Sequence, residues 1–225
     1  MKVKDLNVDE RPREKAKQFG IQTLSNRELL ALLLRSGTKK KSVLEVGDEV
    51  LALKDSLGAL SQISLLELKR ISGIQDAKAL ELLAAFEIGK RIAFDEVIHR
   101  RSIEHPEDIM VWLSQEIGYA QQEHFLVLFL DQRNHVISYK TLFIGTLTKA
   151  SVHPREIFKE AMKQGCAKII CVHNHPSGDT TPSDADIMLT NAIVEAGNMV
   201  AIPLVDHLIV SQNTYTSFRQ CELMD

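Results

Sequence analysis

Apolar positions in the first hundred residues recur at helical spacing. Residues 27–35 carry a dense leucine run behind Ser25, with Glu28 three residues on, the spacing of a capping box. Gly37 and Thr38 are expected to close that helix. Residues 42–53 predict a second helix and 56–60 a short third element. Residues 64–71 predict another, with Leu65, Leu66, Leu68 and Ile71 on its apolar face. A turn at Gly73 leads into a helix over 80–93. Polar and charged residues from 95 to 106 break the pattern and read as a linker.

Beyond the linker, strand and helix patterns alternate. Residues 107–119 predict a helix that turns Met110, Trp112 and Leu113 onto a sheet. The apolar run 124–130 predicts a strand, 131–134 a turn and 136–144 its hairpin partner. Pro154 suits the first position of a helix over 154–164. An apolar run at 167–172, a helix over 183–197 and a last strand over 203–210 complete the pattern. The fold class is therefore mixed α/β: an all-helical domain over 1–102, then helices packed on a small sheet over 103–225.

Composition narrows the function classes. Apolar residues make up 44% of the chain, enough for ordinary cores, while 5% aromatic residues argue against a base-stacking platform. The net charge of −3 divides into about +4 over residues 1–102 and about −7 over 103–225. A mildly basic first half can face phosphate, though far less strongly than a dedicated nucleic-acid domain. Cys166, Cys171 and Cys221 form no metal-type pair and fit free, buried thiols in a reducing cytosol. No signal-peptide core or spanning apolar run is present, so a soluble cytoplasmic protein is expected.

The chemistry concentrates between His173 and Asp186. If His173 and His175 end the strand that begins near 167, its period of two points both rings to one side. Pro176, Gly178 and Pro182 turn the chain into the next helix, where Asp186 sits in the first turn. Two imidazoles and a carboxylate leave a fourth tetrahedral position open, the pattern of catalytic zinc. Ser183 and Asp186 also read as a capping-box variant, and the two roles can coexist.

The spacing His-x-His, seven residues, Ser, two residues, Asp resembles the JAMM metallohydrolase signature, with His173, His175, Ser183 and Asp186 in register. The variant His-Asn-His-Pro-Ser-Gly is similar to the RadC family of bacterial proteins, as are the segments around His153 and His207. This resemblance implies a three-layer α/β/α domain like that of the cytidine deaminases. It also implies one zinc ion per chain on His173, His175 and Asp186, Glu123 as general base, and Ser183 as a hydrogen-bond donor to the oxyanion. Glu116, Glu156 and Glu160 are rivals by composition, and only the resemblance favours Glu123. His207, beside Asp206, reads either as a group that holds a ligand or as a satisfied core residue.

The expected function is zinc-dependent hydrolysis of an amide or isopeptide bond in an unknown protein or peptide. The alternative is a DNA-binding protein of repair or recombination without essential peptidase activity, a label the RadC family has carried. The turn at Gly73 and Ile74 resembles a helix-hairpin-helix motif, which binds DNA phosphate through backbone amides without reading sequence. Gly73 and Lys78 would make that contact. Gln75 departs from the motif, standing where its second glycine belongs, and a purely structural hairpin is the other reading.

Overall fold

The computed structural model describes residues 6–145 and 152–224. It divides into two compact units, Met1–Gly89 and Lys90–Asp225. The sequence pattern places the change at 102. The helix that opens at Asp76 continues to Ile98, because Ala93 and Val97 keep the helical period and are buried in the core of the second unit. Residues 95–98 therefore lie on that helix, and the linker reading is corrected for those four.

In the first unit, short helices surround one core. They are α1 (Pro12–Phe19), α2 (Asn26–Leu34), α3 (Val43–Leu51), α4 (Leu57–Leu60) and α5 (Leu65–Lys69), followed by the long α6 (Asp76–Ile98). The core includes Leu30, Leu34, Val46, Val50, Leu60, Leu68, Ile74 and Leu82. Ser25 with Glu28, Ser42 with Glu45 and Ser64 with Glu67 each form a complete capping box. Helix α2 ends at Leu34 rather than near Gly37, on Arg35 at φ 61°. Gly73 has φ +99°, and a Cβ there would lie 2.4 Å from Thr38 Cγ2, so only glycine makes this turn.

These caps make a testable pair. Replacing Ser64 by Ala removes a hydrogen-bond acceptor at the N-terminus of α5 and is expected to cost about 1 kcal/mol of stability. The ion pair with Lys54, aided by the Ser64 amide and hydroxyl, pulls the Glu67 carboxyl down from 4.5 to about 2. A depressed folded value means stability that is present in full above about 4.5 and is lost as pH falls toward 2. Urea midpoints measured across that window should fall more steeply in wild type than in Glu67→Gln. Parallel curves would disprove the assignment.

The second unit is a three-layer α/β/α sandwich. Helix α7 (Glu107–Leu113) runs into one π-helical turn, Ser114–Gly118, so the helix expected over 107–119 changes its winding part-way. The sheet holds β1 (Glu123–Leu130), β2 (Val136–Gly145), β3 (Lys168–Asn174), β4 (Leu204–Val210) and a short β5 (Tyr215–Ser217) that the pattern did not predict. Its order is β2-β1-β3-β4-β5, with β3 and β4 parallel and the other pairs antiparallel. Helix α8 (Pro154–Gln164) precedes β3, and α9 (Asp184–Val200) makes the crossover from β3 to β4.

Both faces of the central strands are buried, which explains why their sequences are continuous apolar runs rather than alternating ones. Leu126, Leu128, Leu130, Ile170 and Val172 face a core with Trp112 and Leu113 of α7. Phe125, Val127, Phe129, Ile169 and Cys171 face the other core, with Ile157 and Phe158 of α8 and Ile193 of α9. Cys166 and Cys171 are free and buried; Cys221 is also free but exposed, against expectation, because it lies past β5 outside either core. Among the described residues no helix is long and apolar enough to cross a membrane.

Candidate metal centre

The last residues of β3 and the first turn of α9 meet over the face of the sheet that carries α8 and α9. His173 follows Ile169 and Cys171 on that face of the strand and is fully buried. The chain leaves β3 at Asn174 and turns at Gly178, φ +90°. It re-enters helix at Asp184 behind the N-cap residue Ser183. Asp186 is the third residue of that helix, and its Oδ2 accepts from both the amide and the hydroxyl of Ser183, at 2.8 and 2.6 Å. The capping box leaves Oδ1 aimed at His173 Nε2, 3.2 Å away, while His175 Nε2 lies 3.6 Å from Oδ2. The two Nε2 atoms are 3.2 Å apart.

The three residues offer ligand atoms that all lie within 4.8 Å of one another. Two imidazoles and a carboxylate form a donor set that suits a divalent first-row ion. His175 Nδ1 lies 2.7 Å from the Asp179 carbonyl, which only accepts, so His175 carries a hydrogen on Nδ1 and turns Nε2 into the cluster. Burial by itself raises the Asp186 carboxyl, but the facing His173 and His175 rings override it and hold the group well below the usual carboxylate range. The contact with Asp186 in turn raises His175 above its ordinary value, with Glu123 contributing in the same direction. The residues fit a metal ion: an electron-rich pocket of three donors that favours a positive charge.

A cavity of about 560 Å³ opens onto this cluster. Glu123, His175, Ser183 and Asp186 line it, with Val152, Pro154, Met188 and Leu189 forming an apolar wall. Of the four candidate glutamates, Glu123 alone lines this cavity. Glu116 accepts from the Tyr139 hydroxyl at 3.2 Å, Glu156 pairs with Arg155 and Lys159, and Glu160 pairs with Lys140. Ser183 lines the cavity too, but its hydroxyl hydrogen is engaged on Asp186. Donation to an oxyanion requires it to swing away.

Three residues that the motif reading did not assign hold the site together. Asn174 is fully buried between the two histidines. Its Oδ1 accepts from the amide of His124 at 2.7 Å, and its Nδ2 donates to the carbonyls of Ala120 and Gln122 at 3.3 and 3.1 Å. It thus clamps the backbone on both sides of Glu123. His207 Nε2 lies 2.9 Å from His173 Nδ1, and Thr190 Oγ1 lies 2.7 Å from His207 Nδ1. Burial first, and then the His173 ring, push His207 well below the ordinary histidine range, so it stays neutral. Of the two readings of His207 it is the group behind a ligand. The sequence signal was a polar pair, Asp206-His207, set into an otherwise apolar strand.

Residues 103–223 match the family model described as RadC-like JAB domain, and residues 3–80 match UPF0758 N-terminal. This chain belongs to the RadC-like JAB domain family. Proteins named UPF0758 protein from Bacillus cereus (strain 03BB102) and Bacillus anthracis (strain A0248) are each 45% identical over 218 residues, covering 97% of this chain and 97% of theirs. The RadC-like match spans the whole sheet and all three candidate ligands, and it points to the JAMM-type metallohydrolases.

The helical hairpin before this RadC-like region has a different character. The Lys78 ammonium bonds the Ser36 carbonyl, and Gln75 is exposed. Asp76 places a carboxylate in the first turn of α6, where it pairs with Lys69. The positive end of that helix therefore already faces an anion of the protein's own.

Proposed function

We propose that this protein is a zinc-dependent metallopeptidase or isopeptidase, acting in the cytoplasm on an amide bond. The observation that carries the reading is the convergence of Glu123 and the His173–His175–Asp186 group on one cavity. His173, His175 and Asp186 would hold the metal and leave a position open. A bound zinc ion supplies Lewis acidity and lowers the pKa of water to about 7.

The remaining chemistry belongs to the protein. Glu123 takes the proton of the attacking water and returns it to the leaving amine, the usual work of a positioned carboxylate. Asn174 fixes the backbone on either side of Glu123. Ser183 keeps Asp186 oriented and supplies a hydroxyl to the oxyanion once that hydroxyl turns from the carboxylate. The wall of Val152, Pro154, Met188 and Leu189 favours an apolar side chain next to the bond that is cut.

Metal content by mass spectrometry, followed by digestion of a mixed peptide library, tests the reading. The expected result is about one zinc per chain, by the three-ligand logic of catalytic sites. Asp186→Ala should lose that zinc. Asp186→Asn should also weaken it while keeping the helix cap, which separates coordination from folding. A wild-type protein that takes up no zinc when zinc is added would sink the hydrolase reading. DNA contact through Gly73 and Lys78 would then be tested by the salt dependence of affinity.

A further inference from the structure

The hydrogen bonds behind His173 have a direction. Thr190 Oγ1 lies 2.7 Å from the carbonyl oxygen of Asp186, one turn back on α9. A carbonyl has no hydrogen to give, so the single hydroxyl hydrogen of Thr190 is used there. The same oxygen lies 2.7 Å from His207 Nδ1. With its hydrogen committed, Thr190 can only accept, so His207 carries a hydrogen on Nδ1. His207 is fully buried, and an unpaired charge on a ring so placed is costly. A neutral ring with its hydrogen on Nδ1 has a bare Nε2. That bare nitrogen is 2.9 Å from His173 Nδ1, which must therefore be the donor.

His173 therefore carries a hydrogen on Nδ1, which leaves Nε2, the atom 3.2 Å from Asp186 Oδ1, as the nitrogen turned toward the cluster. We propose that Thr190 and His207 are positioning residues that set the tautomer of His173: they hold its hydrogen on Nδ1, so that Nε2 is the nitrogen presented for coordination. His175 has its Nδ1 hydrogen fixed by a shorter route, through the Asp179 carbonyl. The relay begins and ends on Asp186: its backbone starts the chain of hydrogen bonds, and its carboxylate faces the nitrogen that the chain prepares. This inference rests on reading the cluster as a metal centre, but the tautomer itself can be observed without metal.

The test uses the full-length protein with ¹⁵N-labelled histidine. Long-range ¹H–¹⁵N spectra of the metal-free form should show His173, His175 and His207 all with hydrogen on Nδ1. Thr190→Val keeps the side-chain volume but removes the acceptor. His207 should then move its hydrogen to Nε2 and force His173 to carry one on its own Nε2. Zinc affinity should fall by about 10- to 100-fold, the usual cost of losing a group behind a ligand. Thr190→Ser keeps the hydroxyl and should restore both tautomer and affinity.

Thermal unfolding of each metal-free variant separates this from a plain packing role. Loss of stability in Thr190→Val with unchanged His173 tautomer and unchanged zinc affinity would overturn the proposal. So would a wild-type spectrum with His173 Nδ1 bare and its hydrogen on Nε2, a result that decides the matter even where a variant does not fold. Failure of the wild type to take up zinc would count against the hydrolase reading instead, and the spectra would still settle the tautomer.

Discussion

Glu123→Gln will lower peptide hydrolysis by about two to four orders of magnitude and leave zinc binding unchanged, the effect expected for loss of a general acid–base. The substitution keeps the shape of the side chain and removes its capacity to take a proton. Glu123 lines the cavity, yet it is outside the group of residues that present ligand atoms to one another. Zinc content and turnover should therefore separate. Glu156→Gln is the matched control, because Glu156 is committed to Arg155 and Lys159 on the outside of α8. Equal rates for Glu123→Gln and wild type on the same peptide would rule Glu123 out as the base.

The second large effect is expected at Asn174. Replacing it with Leu leaves the amide of His124 and the carbonyls of Ala120 and Gln122 without their partner. Each buried group stranded in this way costs about 1 to 3 kcal/mol, less where water reaches it. With one of the three bonds fully buried and two partly so, a loss of about 2 to 4 kcal/mol is expected in chemical unfolding. Turnover should fall further than the folded fraction does, since the backbone that carries Glu123 is no longer fixed. Activity that tracks the folded fraction alone would show that the clamp is structural only.

Much of this arrangement was legible because it is local. A capping box needs four residues, and Ser25 with Glu28 and Ser183 with Asp186 both formed as spaced. A strand that ends in His-x-His needs only the period of two, and the buried strand over Lys168–Asn174 supplies it. What was not legible depends on pairings between distant segments. His207 stands behind the cluster because β3 and β4 are parallel with Cys171 opposite His207. Thr190 joins it because α9 crosses back over that pair.

Other misses had local causes. Residues 95–98 read as linker because charge masked the helical period that Val97 continues. The strand Tyr215–Ser217 is three residues long and too short to show an alternation. It is nonetheless pinned, since Asp206 accepts from the Ser217 hydroxyl at 2.6 Å.

The capping box at the start of α9 would bear on any relative that lost its metal site. One carboxylate does two jobs: Asp186 closes a helix and faces two histidines. Selection to keep the helix would retain an acidic or amide residue at this position long after catalysis had gone. An aspartate here is then poor evidence of an intact metal site. The histidine pair is the better witness, because neither ring has any part in starting the helix.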